Sequence, residues 1–306
     1  MTIKVLKRPR ADTDVVAPSG FRSVGIAFGL LGLTATLVAL VANATAANDL
    51  NPATLAWTFG LAVAGFAAAK LGIVVTLAGI LRRLWLRVDS LRATLPRLKA
   101  AAEPDPNVRY GDIETPFGPA TASEHALGPL PIHRMAQRLW APMVAMGSML
   151  VAGGFVFAIF QSGTANAADY NTFSAWTQGL QFLGEGLLLA GISFLLGTIL
   201  AALRSGGGEV QESLGLTVKT LKMPVTAKLF VALMVVGLMA AMAQFALYAA
   251  AAAYVDNPSA WFAFLAPLRE FALGALLSGI VLALYTIGTV LGFQFDRIKQ
   301  IIVSGR

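Results

Sequence analysis

Lys70, Glu185, Arg269 and Glu270 each lie inside a long run of otherwise apolar residues. A charge at the centre of a bilayer costs roughly 3 kcal/mol or more, so intramembrane charges mark either an ion or proton site or a pairing that fixes helix packing. Glu185 follows Trp176 by nine residues, and Glu270 follows Trp261 by nine. At a rise of about 1.5 Å per residue, each carboxylate is about 13 Å deeper than its tryptophan. That is close to the middle of a hydrocarbon core about 30 Å thick. Lys70 and Arg269 are the cations available inside the spans. Lys70 is therefore expected to pair with Glu185 or Glu270, unless its stem snorkels to the basic side. Arg269 and Glu270 are adjacent, so they point about 100° apart and at most one aims at the bundle centre.

The other chemistry-bearing residues form no constellation. There is no cysteine, which removes disulfides and thiolate sites. No Gly-rich loop carries the Lys-Ser/Thr of a phosphate cradle, and neither H-E-x-x-H nor G-x-S-x-G occurs. Ser205-Gly206-Gly207-Gly208 lacks that lysine and is expected to stop a helix. His125 and His133 stand eight apart with no clustered ligands, a poor basis for a metal site. Apart from Met1, the methionines fall in two groups: Met135, Met143, Met146 and Met149, then Met223, Met234, Met239 and Met242. Thioethers suit Cu(I), but without Cys or His to complete a site they are expected to fill packing gaps. No metal, no cofactor and no enzymatic activity are expected.

The elements that hold these residues follow from composition. Of 306 residues, 57% are apolar and 13% charged, and the mean hydropathy is +0.70. A soluble domain carries about 25% charged residues. Six stretches can span a bilayer as helices: Val24–Ala47, Leu55–Leu81, Leu139–Phe160, Trp176–Leu203, Leu229–Ala253 and Trp261–Phe293. Every Lys and Arg except Lys70 and Arg269 falls in the two tails, the second loop or the fourth loop. The other three loops carry Asp49, Asp169 and Asp256 and no cation. This positive-inside pattern places both termini in the cytoplasm of a bacterial inner membrane, and it accounts for the net charge of +7 without nucleic acid. Ala42-Asn43-Ala44 resembles a signal-peptidase site, but its apolar run is long for a signal and belongs to a repeat.

The repeat is read from Asp49…Trp57, Asp169…Trp176 and Asp256…Trp261, where Asp and Asn precede a small residue and a tryptophan at the outer start of each even-numbered helix. Asp and Asn cap helix starts, and Trp favours the lipid interface. The expected fold is all-α, with three parallel two-helix repeats. Residues 1–23 form a basic tail and 24–81 the first hairpin. Residues 82–138 hold an amphipathic helix and a Pro-rich segment, and 139–203 the second hairpin. Residues 204–228 form a loop, and 229–306 the third hairpin with a cytoplasmic helix end. Leu81, Leu84, Val88, Leu91, Leu95 and Leu98 alternate at spacings of three and four, a heptad seam for a protein partner or an amphipathic face on anionic lipid. This helix is expected to stop or kink near Pro96. The Pro-rich stretch from Glu103 to Pro131 is a linker or a strap along a partner.

The layout of three two-helix repeats in a basic chain of 306 residues resembles the mitochondrial carrier family. The odd-numbered helices, however, lack that family's Pro-x-Asp/Glu-x-x-Lys/Arg signature and end in Ala- and Asn-rich loops on the opposite side. The resemblance covers layout alone and assigns no residue. Two functions remain. One is a non-catalytic subunit, anchor or assembly factor, binding other membrane proteins through small-residue pairs such as Gly65/Ala69, Gly186/Ala190, Gly274/Ser278 and Gly288/Gly292. The other is a small-solute or ion- or proton-coupled transporter built on the buried charges. Pro267 is the break in the even helices that the second reading can use.

Overall fold

A computed structural model describes residues 19–45, 52–101, 122–123, 131–213, 218, 220–221, 223–254 and 259–304. Its six helices are α1 (Ser19–Thr45), α2 (Pro52–Ala101), α3 (Pro131–Gly163), α4 (Ala167–Ser213), α5 (Val225–Tyr254) and α6 (Ser259–Ser304). All six are long and apolar enough to cross a membrane. Two-residue strands β1 (Ala122–Ser123) and β2 (Thr220–Leu221) pair antiparallel, pinning the α3-side loop to the α4–α5 loop. Asp49, Asp256 and most of the Pro-rich segment lie outside the described residues.

Consecutive helices pack as hairpins, α1 on α2, α3 on α4 and α5 on α6. The hairpins are not placed equivalently. Helix α4 runs through the middle and touches α2, α3, α5 and α6, whereas α2 and α6 scarcely meet and α1 rests on α2. Within α4 the apolar stretch is 89% buried, against 17% to 33% in the other five helices. The remaining helices present leucines, valines and phenylalanines outward, such as Leu33, Phe66, Val156 and Val281, as lipid contact requires.

Glycine sets the spacing around α4. A Cβ on Gly184 would lie 2.7 Å from the Gly147 carbonyl oxygen, and one on Gly191 would lie 2.6 Å from Val144. Without hydrophobic drive between helices in lipid, such close backbone approach supplies dispersion contact instead. Gly32 and Gly65 do the same between α1 and α2.

Several helix ends differ from the sequence expectation. The run Ser205–Gly208 does not stop α4, which continues to Ser213. Here Val88 of α2 lies against Gly206, and Gln294 of α6 against Gly207. Helix α2 passes Pro96 and ends at Ala101. A proline this near a helix end removes one ladder bond with little left to disrupt. Likewise α6 is continuous through Pro267. The cap of α4 is Asn166, whose Oδ1 accepts the Ala168 N–H at 3.0 Å. Asp169 sits inside the first turn, where its charge faces the positive helix end.

Candidate functional site: a charged layer at mid-height

Three contacts fix the height of the four span charges. Gly186 packs on Ala241, and Gly237 packs on Ala272 and Leu276. Ala241 lies midway between Lys228 and Tyr254 at the two ends of α5. Glu185 and Glu270 are therefore level, near the middle of the bundle.

Lys70 Nζ stands 3.1 Å from Glu185 Oε1, with both side chains 5% exposed. Of the two carboxylates the sequence offers Lys70, the structure brings Glu185. The stem does not snorkel toward the basic end. Its Nζ lies 4.2 Å over the Phe66 ring, one turn earlier, so the side chain leans toward the helix N-terminus as helical side chains do. Lys70 and Glu185 thus form an ion pair enclosed by the surrounding helices.

Glu270 pairs instead with its neighbour. Arg269 Nε donates to Glu270 Oε1 at 2.8 Å, and the guanidinium lies 4.4 Å over the Phe182 ring of α4. Arg269 thus turns inward and is 32% exposed, while Glu270 turns outward and is 64% exposed.

A polar stripe on α4 leads from one end of the bundle to the first pair. Thr177, Gln181 and Glu185 follow at intervals of four and share a face. Gln181 Nε2 donates to the Gly60 carbonyl at 3.2 Å, and the Tyr248 hydroxyl donates to Gln178 Oε1 at 3.1 Å. Thr177 Oγ1, Gln181 Oε1 and Gln244 Nε2 are buried with no hydrogen-bond partner among the described residues. Such orphaned groups are rare in native interiors, and water is their usual partner. Sequence reasoning missed Thr177, Gln181 and Gln244. The signal was present: polar residues spaced by four inside a span cannot face lipid.

At the basic end the extensions of α2, α4 and α6 pack together. Beyond Val88 on Gly206, Arg297 Nε donates to Gln211 Oε1 at 3.1 Å, both residues buried. Leu84 packs against the main core cluster. The side chains of Leu91, Leu95 and Leu98 lie outside the described residues. At the other end Trp176 sits 6.3 Å from Phe157 and 6.4 Å from Phe245, bridging α3 and α5 instead of only lining an interface. Trp57 is half-buried on α2, and the side chain of Trp261 lies outside the described residues.

The methionines do not all fill gaps. Met234 is buried and Met143 packs against the core, but Met135, Met146, Met149, Met223, Met239 and Met242 are exposed. Among the described residues no group of three His, Asp or Glu could hold a metal ion. Compared with protein-family models, curated proteins and solved structures, the chain matches none.

Proposed function

We propose that this chain is a non-catalytic membrane subunit, anchor or assembly component of a larger complex, with both termini in the cytoplasm of a bacterial inner membrane. One observation carries the reading. A carboxylate 64% exposed, with its arginine, stands on the outside of the bundle at mid-height, where a lone chain would present it to hydrocarbon. Intramembrane charges face protein or water, not lipid. A protein covering α6 resolves this. The joined extensions of α2, α4 and α6 give such a complex a platform on the basic side. Extraction in native-lipid discs at natural expression, followed by mass spectrometry, tests the reading. Stoichiometric protein contact at Glu270 is expected, and a solitary monomer with Glu270 against lipid would refute it.

A second reading, an ion- or proton-coupled transporter, draws on the orphaned polar atoms leading to Lys70 and Glu185. Proteoliposomes decide it. A proton or cation flux that is abolished by Glu185→Gln while the bundle stays folded supports transport, and no flux in the intact protein dismisses it.

A further inference from the structure

We propose that a short file of water enters the bundle from the end bearing Trp176 and stops at the Lys70–Glu185 pair, so that one face of the membrane hydrates the pair and the other does not. The proposal goes beyond both readings above, since a subunit and a transporter can each hold such a file. The core changes character at Glu185. On the Trp176 side, Thr177 is 1% exposed, Gln181 0% and Gln244 2%, and Thr177 Oγ1, Gln181 Oε1 and Gln244 Nε2 bond to nothing among the described residues. Toward the basic end α4 is lined by Leu188, Leu189, Ile192, Leu195 and Leu196, all buried. Its buried hydroxyls there are satisfied. Ser193 Oγ donates to the Leu189 carbonyl at 2.9 Å, and Thr198 Oγ1 to the Phe194 carbonyl at 3.0 Å. His133 Nδ1 is also unpaired, but it lies in the first turn of α3 at the basic end.

The spacing fits water. Thr177, Gln181 and Glu185 stand one turn apart on one face, where Cβ atoms are about 5–6 Å from one another. Two hydrogen bonds of about 2.8 Å through one water span that distance. A buried acceptor left unpaired is costly, and a water with two or more polar partners removes the cost. Polar groups continue outward: half-buried Ser174 accepts Gln178 Nε2 at 3.2 Å. Inward, the next residue at the same spacing is Leu189, whose side chain offers water no partner.

Two measurements test it. Water-edited solid-state NMR of the unsubstituted protein in lipid reports which side chains touch water. Polarisation should pass from water to Thr177 and Gln181 and not to Ser193. No transfer to Thr177 and Gln181 would overturn the proposal, whatever any variant does. The side of entry is read with silver ion, which is small enough to follow water. The chain has no cysteine, so Thr177→Cys and Ser193→Cys each add a single thiol. Right-side-out and inverted membrane vesicles are treated with silver, denatured, and their remaining free thiols counted with a polyethylene glycol maleimide. Thr177→Cys should be blocked several-fold faster from the face nearer Trp176, and Ser193→Cys from neither face. Equal rates from both faces, no block at Thr177→Cys, or a Ser193→Cys that silver reaches would each overturn one-sided entry. The proteoliposome flux assay separates this proposal from transport. Water at Thr177 without flux dismisses transport and leaves the file standing, whereas flux without water at Thr177 does the reverse.

Discussion

Glu185 and Glu270 stand at one height in the bundle with opposite surroundings, the first 5% exposed against Lys70 and the second 64% exposed beside Arg269. One pair closes the interior, and the other marks the outside. Their shared height is what nine residues past Trp176 and Trp261 imply, but which carboxylate faces inward was set by the packing of α4.

Removing one member of the inner pair leaves a buried charge or a buried polar group alone. Breaking such a pair costs about 3–5 kcal/mol, while replacing both members is close to neutral. Lys70→Met and Glu185→Gln should each lower the unfolding temperature in detergent by several degrees, read by intrinsic tryptophan fluorescence. The double variant should recover most of the loss. A double variant as unstable as the sum of the singles would show that the pair does not couple.

Gly184→Leu should prevent α3 and α4 from approaching, because even a Cβ there would press on the Gly147 carbonyl. The expected result is loss of monodisperse protein on size exclusion. Gly153→Ala, where a Cβ meets nothing within 4 Å, should leave the profile unchanged.

Cysteines at Asn48, Asn166 and Asn257 should react with a membrane-impermeant maleimide from the periplasm. Those at Thr13, Ser213 and Ser304 should react only after permeabilisation. Labelling of position 13 or 304 in sealed cells would reverse the orientation.

Triplication is checked by depth. Variants retaining only Trp57, Trp176 or Trp261 of the five tryptophans should be quenched alike by brominated lipids at matched bromine depths. Helix starts alone do not show the equivalence, since Trp57 follows Pro52 by five residues, Trp176 follows Ala167 by nine and Trp261 follows Ser259 by two. Clearly unequal quenching depths would leave the repeated Asp-to-Trp segments as common interface chemistry.

The six spans were legible because an apolar run long enough for a bilayer has few other outcomes. The ends were not. Ser205–Gly208 reads as a stop by propensity, since a glycine in a helix costs about 1 kcal/mol, yet α4 runs on to Ser213 with Val88 against Gly206 and Gln294 against Gly207. Neither Pro96 nor Pro267 ends its helix, because a single missing donor does not outweigh the helix on either side. The central role of α4 depends on contacts between distant segments, which residue order does not encode locally. Even so, Thr177, Gln181 and Glu185 spaced by four already say that one face of this span avoids lipid.

That α4 is enclosed on several sides has a meaning for biosynthesis. It is the fourth helix to leave the ribosome, and what Glu185 and Gln181 meet on α2 and α3 has been made before it: Lys70, the Gly60 carbonyl and Gly154. Tyr248 and Leu276, which cover its other side, are translated afterwards. A nascent chain released into the bilayer at Ser213 already contains the groups that shelter its charged helix, and the third hairpin arrives as a lid on a neutralised core.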